Sequence, residues 1–254
     1  MFSDFAQTCA AALQEASSEA ALREALQETA TAFGLRFYAL GPHGGLTPST
    51  RWAPLTNYPA AWVARYQTRG YVGFDPVVMA CRTSARGFLW SELPTMLSLT
   101  DKQAALLAEA ARFGLGEGFT TPIHVPGERP GACSFVAAAG AEIDPAALAF
   151  LPYLASLAYE KARLLTDNAG GPVEEAVLTA RQRDCVVLVA RGKSDWEAAT
   201  ILGLSHDTVH QHIEEAKRRF KAKTRLQLVI FALAQGAISF ADVIPWSFLV
   251  KKTK

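Results

Sequence analysis

Paired cysteines, long apolar runs and a surplus of charge are all missing from this 254-residue chain. Its four cysteines, Cys9, Cys81, Cys133 and Cys185, stand far apart with no C-x-x-C pair, which argues against a zinc ribbon or a dithiol redox motif. Their apolar neighbours suit small buried hydrophobes in a reducing compartment. No apolar run approaches the roughly 20 residues that a membrane-crossing helix needs. Met1-Phe2-Ser3-Asp4 carries no basic stretch, so a signal peptide is not expected and a cytoplasmic protein is. His43 and His124 are isolated and no G-x-S-x-G elbow occurs, so neither a metal-dependent nor a serine hydrolase is indicated. No catalytic residue, metal site or cofactor is expected. Internal repeats and low-complexity segments are also absent.

Half of the residues are hydrophobic, which supports a proper core in one large domain or two ordinary ones. The net charge of +1 hides a contrast: 12 Lys+Arg against 15 Asp+Glu before residue 174, and 13 against 9 from there on. A mildly acidic front and a basic back suit a sensor joined to a nucleic-acid binder. Thr166 to Val173, with Gly170-Gly171-Pro172, breaks helix and strand alike and marks the boundary. The expected division is residues 1–165, a linker at 166–177, and 178–254.

In the first part, residues 3–33 favour two helices divided at Ser17-Ser18, with Gly34 as the stop. Strands are expected near Leu35–Leu40 and Arg51–Leu55. Pro59 suits the first position of the next helix. Thr100-x-x-Gln103 is a capping box opening a helix to about Phe113. Gly114, Gly116 and Gly118 read as a bend rather than a phosphate loop, since no Lys-Ser/Thr pair follows. A hairpin is expected from Phe119–Val125 and Ala132–Ala138, then one long helix from Pro145 to Leu165. This order indicates an α+β domain, an α/β/α sandwich around an antiparallel sheet, with an apolar pocket between the sheet and one helical layer.

Trp62 and Tyr66 lie four residues apart in the helix that Pro59 opens, so they share one face, with Tyr58 at its mouth. Each joins a large apolar body to one polar atom. Asp75-Pro76 and Trp90 follow, and a carboxylate among aromatics must be surface-exposed or specifically paired. On the residues alone, an aromatic stripe is core and Asp-Pro is a turn. However, the spacing of Tyr58, Trp62, Tyr66, Asp75-Pro76, Trp90 and Gly118 resembles the signal-binding domain of LuxR-type quorum-sensing regulators. The resemblance implies that the pocket holds an N-acyl-homoserine lactone. Trp62 would donate to the lactone carbonyl, Tyr58 would donate to the amide carbonyl, and Asp75 would accept the amide N–H. Tyr66 and Trp90 would pack on the acyl chain and the lactone side. Val77 would also line the pocket, with Thr120 and Ser134 as polar residues near the acyl chain.

The second part holds two further capping boxes, Thr179-x-x-Gln182 and Ser194-x-x-Glu197. Gly203-Leu204-Ser205 makes a turn, and Ser205 caps a helix running to about Lys221. Two short helices about a glycine turn form a helix-turn-helix, with Trp196, Ala199, Ile201, Leu204, Val209 and Ile213 as its expected small core. Leu178-Thr-x-Arg, Gly192-Lys193-Ser194, Ile201-Leu202-Gly203-Leu204-Ser205 and Thr208-Val209 together resemble the LuxR-type DNA-binding domain, an all-α unit. The resemblance makes double-stranded promoter DNA a partner. Ser205, Thr208, His210, Gln211 and His212 become candidate contacts near base edges, and Lys217, Arg218 and Arg219 candidate phosphate contacts. Two departures stand out. Gln182 replaces the usual Glu, which removes a salt bridge, and His210-Gln211-His212 replaces a Lys/aromatic-His run.

His206, His210 and Glu214 lie at i, i+4 and i+8, a spacing that also suits a metal face, although a DNA-facing helix is the preferred reading. A final helix, Arg225 to Ala237, carries more apolar surface than a trihelical unit buries, so Leu228 and Phe231 are expected in a homodimer interface. The 240–254 tail has no assigned role. A response regulator would need an early acidic cluster, which residues 1–60 lack. A lactone-degrading enzyme would need the His cluster or nucleophile already found missing. A regulator that has lost its signal would have no reason to keep the Trp62–Asp75 set.

Overall fold

The computed structural model describes residues 2–43, 53–125, 128–167 and 176–244. The chain divides into two compact units, Met1–His124 with Arg129–Pro172, and Val125–Glu128 with Val173–Lys254. In the first, α1 (Phe2–Glu15) and α2 (Glu19–Ala32) are separated where Ser18 accepts the Ala21 N–H as an N-cap. Gly34, at φ 72°, then turns the chain into β1 (Phe37–Pro42). Next come β2 (Leu55–Thr56), α3 (Ala60–Thr68), α4 (Pro76–Cys81), β3 (Phe88–Leu89), α5 (Leu93–Met96), α6 (Asp101–Arg112), β4 (Leu115–Ile123), β5 (Gly131–Ala138) and α7 (Leu151–Asp167).

The five strands form one antiparallel sheet in the order β2-β1-β5-β4-β3. Helices α1, α2 and α7 pack together over one face, and α4 and α6 lie against β4. Alternation along β5 divides the two layers. Gly131 meets Tyr159 of α7, so Cys133 and Phe135 share that side, while Ala132, Ser134 and Val136 point the other way. Trp62 of α3 and Leu106 and Ala110 of α6 pack with Phe37, Leu115 and Val136 there. The α/β/α sandwich is therefore as expected.

Local differences have identifiable causes. Pro59 is the N-cap of α3, not its first helical residue. The helix expected from Pro145 begins only at Leu151, after a 3-10 turn at Ala147–Ala149. Pro152 has no N–H to bond back to a preceding turn and so fits only in a helix's first turn. Gly116 and Gly118 lie inside β4 and not in a bend. Gly118 is there for close approach: a Cβ on it would stand 2.4 Å from the Trp90 indole.

The second unit has α8 (Ala180–Ala190), α9 (Asp195–Leu202), α10 (His206–Arg219), α11 (Arg225–Ala234) and α12 (Phe240–Val243). The expected capping boxes at Thr179/Gln182 and Ser194/Glu197 are both formed. Gly203, at φ 66°, makes the turn between α9 and α10. The core holds Cys185, Val186, Ala198, Val209, Ile213, Leu228 and Ile238. Two expected core members are outside it: Trp196 is 72 % exposed and Ile201 56 %. Both lie on the outer side of α9, whose inner side is made by Ala198 and Ala199. Helix α11 stops at Ala234 and not at the expected Ala237, since Gly236 at φ 69° turns the chain back and Ile238 N–H reaches the Ala232 carbonyl.

The start of the tail folds onto α8. Asp242 receives Arg183 at 2.7 Å, and its carbonyl accepts from Arg191 Nε at 2.8 Å. Residues 245–254 lie outside the described residues, as do 168–175, most of the expected linker. Among the described residues, no helix is long and apolar enough to cross a membrane.

Candidate functional site

A cavity of about 460 Å³ lies in the first unit, between α3 and α6 on one side and β1 and β5 on the other. Tyr58, Trp62, Tyr66, Asp75, Val77, Trp90 and Ser134 all line it. The α3 spacing brings Trp62 and Tyr66 together edge to face at 5.9 Å, and Tyr71 and Phe113 brace Trp62 from behind. Phe37 of β1 packs edge-on against Tyr58. A clasp joins the two helices: Glu109 of α6 accepts from Arg65 of α3 at 2.7 Å and from the Tyr71 hydroxyl.

Asp75 is buried and uses both oxygens. Its Oδ1 accepts the Val77 N–H at 2.8 Å, capping α4, and its Oδ2 accepts the Tyr66 hydroxyl at 2.6 Å. Burial pushes its carboxyl above the usual range, opposed by those hydrogen bonds. Burial, and then the Asp75 charge, likewise push the Tyr58 and Tyr66 phenols up, so both remain protonated donors. Among the described residues, the Trp62 indole N–H and the Tyr58 hydroxyl have no protein partner. Two unspent donors and a carboxylate with spare lone pairs thus meet in one apolar chamber, an arrangement suited to a neutral ligand with carbonyls and an amide N–H.

Thr120 differs from expectation. It is fully buried and does not line the cavity. Its hydroxyl accepts the Trp90 indole N–H at 2.9 Å and bonds Ser134 at 2.8 Å. The register pairs Thr120 with Ser134, so this bond crosses adjacent strands and sets the plane of Trp90 from behind. Sequence reasoning missed much of the lining: Ala39 and Gly41 of β1, Leu106 and Ala110 of α6, Val72 and His43. One signal was available. Ala39 and Gly41 alternate along β1 as Ala132 and Ser134 do along β5, and small residues paired across two strands leave room above a sheet.

In the second unit, Val209, Ile213 and Ala216 turn α10 inward. Ser205 and Thr208 are spent on the cap, with the Thr208 N–H donating to Ser205 Oγ and the two hydroxyls 2.8 Å apart. His210 and Gln211 are exposed and His212 is half-buried. The expected phosphate-binding cations differ from one another. Arg218 is open, with its side chain 78 % exposed. Lys217 is mostly covered and paired with Glu214 at 2.9 Å. Arg219 donates to the Val177 carbonyl at 2.6 Å, which ties α10 to the segment ahead of α8.

The missing Glu at position 182 leaves no vacancy. Gln182 accepts the Thr179 N–H and donates to Glu215 at 3.0 Å. The His206/His210/Glu214 face is also otherwise engaged: His206 packs against Trp196 with ring centroids 4.9 Å apart and planes tilted by 31°, and His210 turns to Asp195. Leu228 must be corrected as a surface residue. It is 0 % exposed and belongs to the core, whereas Leu226, Ile230 and Phe231 form the open apolar side of α11.

Residues 18–162 match the autoinducer binding domain family, and residues 176–232 match the luxR family of bacterial regulatory proteins. Over 222 residues the chain is 30 % identical to the transcriptional activator protein BjaR1 of Bradyrhizobium diazoefficiens, covering 85 % of this chain and 90 % of that one. It is 26 % identical over 225 residues to the transcriptional activator protein LuxR of Aliivibrio fischeri, covering 86 % and 88 %. Among solved structures, Escherichia coli SdiA is similar, with a TM-score of 0.60 at 25 % identity, covering 93 % of this chain and 98 % of that one.

Proposed function

This chain belongs to the LuxR family of bacterial regulators, and from that premise we propose that it binds an N-acyl- or aroyl-homoserine lactone and, as a homodimer, an inverted-repeat promoter site. It is an autoinducer-binding transcriptional regulator and not an enzyme. The work is done in the cytoplasm, where both lactone and promoter are found. The observation that carries the ligand reading is the pair of unspent donors beside Asp75 in the cavity. In this reading the Trp62 indole N–H donates to the lactone carbonyl and the Tyr58 hydroxyl to the amide carbonyl. Asp75 accepts the amide N–H on a lone pair that neither Val77 nor Tyr66 uses. Trp90, held by Thr120, closes the lactone side, and the acyl or aroyl group lies over Ala39, Gly41 and Ala132.

Ligand that binds the folded state alone stabilises it by mass action, by about 2.7 kcal/mol at 100 times its dissociation constant. A panel of acyl- and aroyl-homoserine lactones, scanned by melting temperature of the purified protein, tests the reading. At least one member raises the melting temperature by several degrees. A flat profile across chain lengths and aromatic tails rejects the lactone.

A further inference from the structure

The outward side of α10 is rich in acceptors. Asp207, His210, Gln211 and Glu214 recur every three or four residues, away from the Val209–Ile213–Ala216 stripe. Ionised Asp207 and Glu214 accept only, and Gln211 can do either. Histidine alone is ambiguous, since a neutral imidazole donates from one nitrogen and accepts at the other.

At His210 the surrounding residues remove that ambiguity. Asp195, the first residue of α9, is buried and receives both guanidinium nitrogens of Arg225, at 2.7 and 2.5 Å. Arg225 holds the Asp195 carboxyl below the usual carboxylate range, so this group is an obligate acceptor. Its Oδ2 lies 3.3 Å from His210 Nδ1. The hydrogen of the neutral ring must therefore sit on Nδ1, and the lone pair on Nε2. The His206 ring lies parallel to His210 within 7° and is itself backed by Trp196, which steadies the plane. The His210 side chain is 54 % exposed, so the Nε2 edge has access to whatever α10 meets.

We infer that the Asp195–Arg225 pair fixes His210 as a hydrogen-bond acceptor, and that α10 thereby reads base-edge amino groups, cytosine N4 or adenine N6, in the major groove. The inference rests on the DNA-binding role proposed above and specifies its chemistry. Those two amines are the major-groove donors, whereas guanine presents only the acceptors O6 and N7 there. A Lys or Arg at this position would favour guanine; His210 in this tautomer disfavours it. Asp195 and Arg225 are positioning residues in this scheme, acting through the ring.

Two experiments on the full-length protein test it. Long-range proton–nitrogen NMR on histidine-labelled protein at pH 8, assigned with His210→Gln, reports which ring nitrogen carries hydrogen. The Nδ1–H form is expected in the absence of DNA, with Asp195→Asn shifting the balance toward Nε2–H. A wild-type ring protonated mainly on Nε2 overturns the inference, whether or not the Asp195 variant folds.

The second experiment is selection from a pool of randomised duplexes at pH 8, with and without the most stabilising lactone of the panel. Adenine or cytosine should be enriched about tenfold at one position per half-site, a preference worth about 1.4 kcal/mol. His210→Ala should erase that preference, and Arg218→Ala should leave it in place. Guanine at the His210-dependent position overturns the inference, and so does a preference profile that His210→Ala leaves unchanged. If the wild type enriches no sequence at all, the DNA-reading function itself fails and takes this inference with it.

Discussion

Asp75 serves a helix, a tyrosine and the proposed ligand with two oxygens, each of which keeps a second lone pair after its protein bond. Asp75→Ala removes all three interactions. Lactone affinity should fall by roughly one to two decades, from a charged hydrogen bond of about 1.5–3 kcal/mol, and the empty protein should lose about 1 kcal/mol of cap. Asp75→Asn keeps an acceptor for the Val77 N–H, so calorimetric titration beside a melting curve separates the two losses. Thr120 is the second residue whose role is indirect. Thr120→Val preserves shape but strands the Trp90 indole N–H, at a cost of about 1–3 kcal/mol in urea unfolding, and Thr120→Ser should restore most of it.

At the scale of elements, α11 shows why burial has to be known before an interface is assigned. Leu228 fills the core of the second unit, so Leu228→Glu should unfold it. Ile230→Glu with Phe231→Glu alters only the open side, and should give a folded monomer in analytical ultracentrifugation that no longer protects an inverted-repeat operator. A dimer that survived this pair would place the interface elsewhere. The capping boxes at Thr100, Thr179 and Ser194 were legible in the sequence, because a Ser or Thr and a Gln or Glu three residues on are enough to write both bonds, whereas the Ser239–Asp242 box, closed by the shorter acid, was not. The α3 face was legible for the same reason, through its four-residue spacing. Trp196, Ile201 and Leu228 were not: an apolar residue at helical spacing states no preference between core and surface until neighbouring helices are placed. Thr120 was misread because only strand register shows that it faces Ser134 and Trp90 and stays out of the cavity.

The molecule as a whole couples its stability to pH through a residue on the cavity wall. Burial, aided by Arg82 and His124, pushes the His43 imidazole from 6.5 down to about 4. The unfolded chain therefore takes up this proton at a higher pH than the folded one. The stabilisation is complete above pH 6.5 and lost as pH falls toward 4. His43→Gln should flatten the melting-temperature profile across that window, and an unchanged profile would assign the titration to another group. The walls of the cavity also have an optical consequence. Of the chain's five tryptophans, Trp62 and Trp90 line the cavity and Trp196 stands exposed on the second unit, while Trp52 and Trp246 lie outside the described residues. With Trp52 and Trp246 replaced by phenylalanine, the remaining emission divides into a blue, enclosed pair and a red, solvent-facing single. Filling the chamber perturbs the first and covering the helix-turn-helix quenches the second, so one unlabelled sample reports both kinds of occupancy at separate wavelengths.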